Sequence, residues 1–370
     1  MRILICSDTH FGCASDTVRE DDFYKITDIV SDLIKKNQYD LFIHAGDLFN
    51  VVKPSNRAIL NACQFVRNVS EEVKLSVYCG GNHCKPRMTS VVHPLDLIQL
   101  HYHHDNVSMH HTAGYDVIGD IVVFTLPYSF TTAGYDDDIK KFMSVCDEID
   151  GGAFGAGLKK ILITHAVYPD MTFMKNIPNI KMNDTLPMSV YQLVQRMDLT
   201  INGHIHIPAS DDDRHILVTG ATEQTSFGEA GERFIYDVCT DNGRMDVRSI
   251  SLPVRQMIQA NLDCVDVVDD EQIYDMCSQV LGSVGDGAMV KVVLSNVDKA
   301  VAVSVSKNKI KQLFSGALSI AVQIKTKASE VISFEIQHNI HDITALWDEW
   351  SLQLEPHVQT LGRQIIQETL

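Results

Sequence analysis

Residues 2–12 read RILICSDTHFG: an apolar run that stops at a cluster of Ser, Asp, Thr and His. Four more stretches repeat the pattern, LFIHAGDLFN (41–50), LSVYCGGNHC (75–84), KILITHAVYP (160–169) and LTINGHIHIP (199–208). Runs this short and rich in β-branched residues are predicted to be buried strands, each ending where the polar residues begin. Between the first two, Phe23, Ile26, Val30, Leu33 and Ile34 recur at helical spacing. After the second, Ser55 is a candidate N-cap for a helix whose apolar face is Ala58, Ala62, Phe65, Val66 and Val69. Strand, helix, strand, helix implies a layered α/β domain.

A second strand-rich zone runs from DIVVFTLPYSF (120–130) through HILVTGATEQTSF (215–227) to RFIYDVCTDNGRMDVRSISLP (233–253). In the last of these Asn-Gly lies between two alternating runs, 234–238 and 245–250, which signals a hairpin. The pattern changes near Pro253, and residues 260–330 alternate in a way that predicts a small α+β unit. The tail from Ile343 onward places Leu346, Trp347, Trp350, Leu354, Leu361 and Ile365 at three- or four-residue steps, a helical pattern.

The chain of 370 residues is long enough for two cores. Its 45% hydrophobic and 21% charged content is that of a globular protein rather than a disordered or fibrous one. The apolar run at the N-terminus is too short for a signal segment and no later run approaches a membrane span, so a cytoplasmic protein with no membrane partner is expected. Nine scattered cysteines without a Cys-x-x-Cys argue against a disulfide framework and a thiolate zinc site. The formal charge of −17 argues against a general nucleic-acid binder. One segment runs the other way: Lys299, Lys307, Lys309, Lys311, Lys325 and Lys327 fall in a stretch without Asp or Glu.

The strand ends carry Asp8 and His10, Asp47, Asn82 and His83, His165, then His204 and His206. Taken singly, each could be a helix cap or a satisfied core group. Together, at the carboxyl ends of strands where α/β sheets bind ligands, they form a candidate metal constellation. A single ion needs three or four side chains; seven donors suit two divalent ions sharing a carboxylate, for which Asp47 is the natural bridge. Asp8 and His10 are two residues apart, so both can turn inward only if the backbone is already leaving the strand; His204 and His206 repeat the spacing. Imidazole, carboxylate and amide without thiolate fit manganese, iron or zinc better than calcium. Such a pair of ions suits hydrolysis at phosphorus.

These motifs (DTH, GDLF, GNH, a separate TH and GHIH) resemble those of calcineurin-like metallophosphoesterases over roughly residues 1–251. Within that superfamily SDTHFG, GDLFNVVKPS and NHCKPR look most like the double-strand-break repair nucleases, SbcD and its Mre-eleven relatives. The resemblance implies a β-sandwich flanked by helices over 1–251, a small capping domain over 252–330 that recognises DNA, and a C-terminal helical segment over 331–370. It assigns Asp8, His10, Asp47 and His206 to one metal, and Asp47, Asn82, His165 and His204 to the other, with Mn2+ the expected ion. His83 would approach the scissile phosphate and protonate the leaving oxygen. The implied activity is double-strand exonuclease and single-strand endonuclease; the implied partners are DNA, an SbcC-type coiled-coil ATPase and a second copy of the chain. Two departures stand beside His83. Where the family usually has GNHD and often GDLFD, this chain has Cys84 and Asn50. Neutral neighbours should weaken His83 as an acid, although Asn50 could orient the ring through its amide oxygen and Arg87 could support the site.

Two rivals accompany this reading: a small-molecule phosphatase or cyclic-nucleotide phosphodiesterase of the same superfamily, and a metal-binding scaffold with weakened catalysis. The lysine stretch is either a solvated face or a DNA contact, and Trp347 and Trp350 either pack locally or dock on the ATPase. The histidine-rich segment 101–111 is expected to link a helix to a strand at the surface.

Overall fold

The protein is described here by a computed structural model that covers residues 1–327 apart from 89, 102–103, 153–156, 170–184, 230 and 242–243, together with 351, 358–360 and 363. Elements are numbered in chain order. In β1 (Arg2–Cys6) Ile3 and Ile5 point to one face and Leu4 and Cys6 to the other, and all four are buried. A strand covered on both faces must be central in a layered fold. It lies beside β2 (Leu41–His44), which is followed by β3 (Leu75–Cys79) and β4 (Val107–His110), all parallel. Parallel neighbours need crossovers, and α1 (Glu20–Asn37), α2 (Asn56–Ser70) and α3 (Pro94–His101) supply them. Ser55 caps α2 by accepting from Ala58 N at 3.2 Å, and the apolar face predicted for that helix is buried in full.

The second sheet is built from β5 (Gly114–Ile118), β6 (Ile121–Leu126), β7 (Lys159–Thr164), β8 (Leu199–Asn202), β9 (Ala209–Asp211) and β10 (Ile216–Val218), in the order β5-β6-β7-β8-β10-β9. Strands β6, β7, β8 and β10 are parallel, with α4 (Thr132–Asp150) and α5 (Val190–Val194) outside. The sheets face each other across Ile3, Ile5, Ile43 and Val77 on one side and Val123, Ile161, Ile163 and Ile201 on the other. The result is a sandwich of two mixed sheets between helical layers. The hairpin signal near residue 242 corresponds to β11 (Arg233–Asp241) and β12 (Arg244–Leu252), antiparallel partners that extend the first sheet next to β1. The Asn-Gly turn itself lies outside the described residues.

After Pro253 the predicted alternation takes the form of a wholly parallel sheet, β13 (Met257–Asp263), β14 (Met289–Val297) and β15 (Ser319–Thr326). Its crossovers are α6 (Asp270–Leu281), then α7 (Lys299–Ser304) and α8 (Lys307–Leu313), around a core of their own that includes Ile273, Val292, Leu294, Ile310 and Phe314. Arg255 ties this unit to the first, gripping both carboxylate oxygens of Asp22 on α1 at 2.7 Å and donating to Gly287 O at 2.7 Å. Trp347 and Trp350 lie outside the described residues. Among the described residues no helix is long and apolar enough to cross a membrane.

Candidate metal centre

Five loops leave the carboxyl ends of β1, β2, β3, β7 and β8 and meet at one edge of the sandwich. The backbone leaves the strand form where the ligand spacing demands it: Asp8, His10, Asp47 and His204 have φ of 52°, 47°, 49° and 76°. Non-glycine residues seldom adopt this left-handed region, and such strain gathers at functional sites. The glycines answer a different need. A Cβ on Gly46 would overlap the His165 ring, and one on Gly81 would overlap the Asp47 carboxylate. Gly81 therefore leaves room for a neighbouring loop.

The seven expected donors fall into two groups. In the first, His10 Nε2 and His206 Nε2 are 3.0 Å apart and each lies 3.8 Å from Asp8 Oδ1. In the second, His165 Nε2 lies 3.2 Å from Asp47 Oδ2 and 3.2 Å from Asn82 Oδ1, which is 2.8 Å from His204 Nδ1. Asp47 approaches both groups: it can share an ion with His10 and His83, or with Asp8 and His165. Asp8, His10, Asp47 and His165 are all buried. The carboxylate of Asp8 is met by Ser7 Oγ and accepts from His204 N at 3.1 Å.

The donor chemistry fits divalent cations. Ala45 O receives His165 Nδ1–H at 2.8 Å, and Glu229 Oε1 receives His206 Nδ1–H at 2.9 Å. Each contact leaves the Nε2 lone pair of that ring facing the buried carboxylates and its neighbouring nitrogen or amide oxygen. Lone pairs and carboxylates converging in a desolvated pocket repel one another unless a cation or proton intervenes. Burial works against charge on His165, but Asp47 and Asp8 outweigh it and raise its pKa to about 9. Burial likewise opposes the ionised form of Asp47, and the imidazoles, His165 foremost, reverse this and hold it well below the usual range. Asp8 is pushed up, chiefly by burial.

Glu229 carries no motif and escapes the sequence reading. It sits at the end of a single 3-10 turn, Phe227–Glu229, its Oε1 also accepting from Thr225 Oγ1 at 2.6 Å and its Oε2 from Thr225 N at 2.9 Å. Despite burial, its bond to His206 lowers its pKa to about 2. A carboxylate behind a ligand imidazole fixes the tautomer and aim of the ring.

His83 is exposed, stands edge-on to His10 with ring centres 4.8 Å apart, and donates its main-chain N–H to Asp47 Oδ1 at 2.9 Å. Its Nδ1 meets the main-chain carbonyl of Asn50 at 2.8 Å. Asn50 thus orients the ring through its backbone, not through the amide oxygen expected from the sequence. Cys84 is fully buried against the helical layer, its sulfur 3.3 Å from Phe49 N and 3.4 Å from Phe49 O, and burial drives its pKa well up. The thiol is engaged with the loop that carries Asp47 and is inert as a reactive group. Arg87 is exposed, with its guanidinium 5.9 Å over the Phe130 ring.

Among the described residues, every group of three or more His, Cys, Asp or Glu placed to share an ion belongs to this centre. In the histidine-rich segment, which does join α3 to β4, His110 pairs with Asp116 at 2.6 Å and His111 with Asp96 at 3.0 Å. Lys299, Lys307, Lys309, Lys311 and Lys325 are exposed and Lys327 half-buried; Lys309 is engaged with Glu271 at 2.7 Å and the Tyr274 ring at 3.9 Å.

The chain has structural neighbours at low identity. It is similar to a dimetal phosphatase from Danio rerio, with 9% identity over 67% of this chain and 95% of that one and a TM-score of 0.45. It is also similar to a cold-active protein-tyrosine phosphatase of a Shewanella species, with 9% identity over 68% and 80% of the two chains and a TM-score of 0.32. The family profile described as calcineurin-like phosphoesterase matches residues 1–225, the part that supplies all the donors above. The chain belongs to the calcineurin-like phosphoesterase family, hydrolases of phosphoesters that typically use two divalent metal ions.

Proposed function

We propose that this protein is a two-metal phosphodiesterase acting on DNA, the nuclease subunit of an SbcCD-like complex, with Mn2+ as the working ion. The observation that carries the proposal is the exposed His83 beside the two donor groups, its Nδ1 held by the Asn50 carbonyl at 2.8 Å and its Nε2 left for substrate. Cations bound by Asp8, His10, Asp47 and His206, and by Asp47, Asn82, His165 and His204, would supply Lewis acidity at phosphorus. Around them the chain does the rest. Asp47 keeps the pocket anionic, Ala45 and Glu229 aim two imidazoles, and His83 moves a proton to the departing oxygen. A diester has a poorer leaving group than an activated ester, so such a donor serves it most.

DNA as the substrate is supported by the parallel three-stranded unit that follows the sandwich and by the exposed lysines on α7, α8 and β15. Those lysines would lower the local cost of approaching a polyanion and make binding fall steeply with salt. The ATPase partner and its docking through the segment with Trp347 and Trp350 rest on the family resemblance. A second reading, a phosphatase or phosphodiesterase of small molecules, is favoured by the formal charge of −17. Purified protein with Mn2+ is to be compared on linear DNA and on bis(p-nitrophenyl) phosphate, alone and with the co-purified coiled-coil ATPase. The expected result is cleavage of both, with His83→Ala losing most of the DNA activity. Activity on the small ester alone, even with the ATPase present, sinks the nuclease reading, and an undiminished His83→Ala sinks the assigned proton donor.

A further inference from the structure

Beside the metal centre lies a short ladder of rings that the hydrolytic chemistry does not use. Tyr128, buried, lies at 30° to the His204 ring with centres 6.3 Å apart, and Phe130 meets Tyr128 edge-on at 5.5 Å. Phe130 is 41% exposed, a large apolar ring at the edge of a polar site. Two cations stand over it: Arg87 Cζ at 5.9 Å from the ring centre and Lys85 Nζ at 6.0 Å. These cations belong to the loop that bears Asn82 and His83, a few residues further on.

The loop holding Phe130 is fixed against that same loop. Tyr128 N donates to Gly80 O at 3.0 Å, and Lys85 Nζ donates to Tyr128 O at 2.5 Å. On the other side Ser129 N donates to Tyr135 Oη on α4 at 2.7 Å. The ring is therefore held in a set position relative to His83 and His204, which lowers the entropy lost when a flat group stacks on it.

We propose that Phe130, flanked by Lys85 and Arg87, is a nucleobase subsite: it stacks the base of a nucleotide whose phosphate is presented to the metal centre, while Arg87 holds a flanking phosphate. This rests on the phosphodiesterase reading and narrows its substrate to nucleotide esters. The energetics favour the exchange. A base stacked on an aromatic ring contributes more than a cation–π contact near the surface. A base can take the ring while exposed Arg87 turns to a phosphate it brings, and Lys85 stays on Tyr128 O and keeps the loop in place. Stacking reads no base edge, so the subsite tolerates every base and prefers single strands or frayed ends, where bases are free of their own stack.

The test measures binding without hydrolysis, by fluorescence anisotropy in chelator, with fluorescein-labelled pentathymidylate and an abasic pentamer of the same length. The wild type is expected to bind the pentathymidylate more tightly than the abasic oligomer. Phe130→Ala is expected to weaken pentathymidylate binding about tenfold and erase the difference, with Phe130→Trp restoring it. Arg87→Ala is expected to weaken both oligomers alike. Equal wild-type affinity for the two oligomers, or unchanged preference in Phe130→Ala, overturns the proposal. So does displacement of the oligomer by phosphotyrosine as effective as that by thymidine monophosphate, which would make the ring a general aryl site. Because no cleavage is read, a protein that binds bases through Phe130 but fails to cut DNA would refute the nuclease reading and leave this subsite standing.

Discussion

Asp8, His10, Asp47 and His204 carry the functional atoms and also the uncommon backbone, with φ between 47° and 76°. Each such residue costs on the order of 1–3 kcal/mol and persists only where the surroundings hold it. Here the hold comes from main-chain bonds between loops, Asp8 N to Gly46 O at 2.9 Å and His10 N to Asp47 O at 3.1 Å. The ligand types and their spacing were legible in the sequence because metal chemistry restricts both. The support was not: Glu229 follows His206 at no diagnostic interval and acts only once the 3-10 turn and the strand end have met in space. Its role makes a prediction at this scale. Glu229→Ala should weaken Mn2+ binding by about 10–100-fold in a calorimetric titration, with Glu229→Gln in between because its amide oxygen still accepts from His206. Equal affinity in wild type and Glu229→Ala would make the contact incidental. Cys84 was legible as a neutral neighbour of His83; what the sequence could not show is that its side chain turns to the core and holds Phe49.

Among the elements, the strands and the helices α1 and α2 were readable because two periodicities, two and 3.6, separate cleanly there. What periodicity leaves open is which apolar side chains remain outside. Leu60 on α2 and Leu97 and Leu100 on α3 are 69%, 42% and 66% exposed, and these helices are neighbours on the same outer layer. A contiguous apolar patch on such a layer would mark an interaction surface. We propose that the homodimer implied by the family resemblance uses this face. Leu60→Glu combined with Leu100→Glu should convert a dimer to a monomer in sedimentation equilibrium while the thermal midpoint of the chain stays within a few degrees. A wild type that sediments as a monomer at micromolar concentration would remove the dimer from the account.

At the scale of the whole molecule, the sandwich places five loops at one edge, and the loops turn seven separate residues into one pocket. That convergence was inferable because parallel strands present their carboxyl ends together. The attachment of the unit after Pro253 was not inferable, since it involves contacts between residues far apart in sequence, such as Arg255 with Asp22, 233 apart. The lysines were visible in the sequence, but their engagement was not; Lys309 is taken up by Glu271 and Tyr274. The central claim is that Asp47 joins two cation sites in one centre. Isothermal titration of the metal-free protein with Mn2+, run beside Asp47→Ala, tests it most directly. Two ions per wild-type chain are expected, with loss of high-affinity binding at both sites in the variant; a single ion in the wild type, or two tightly bound ions in Asp47→Ala, would contradict the shared centre.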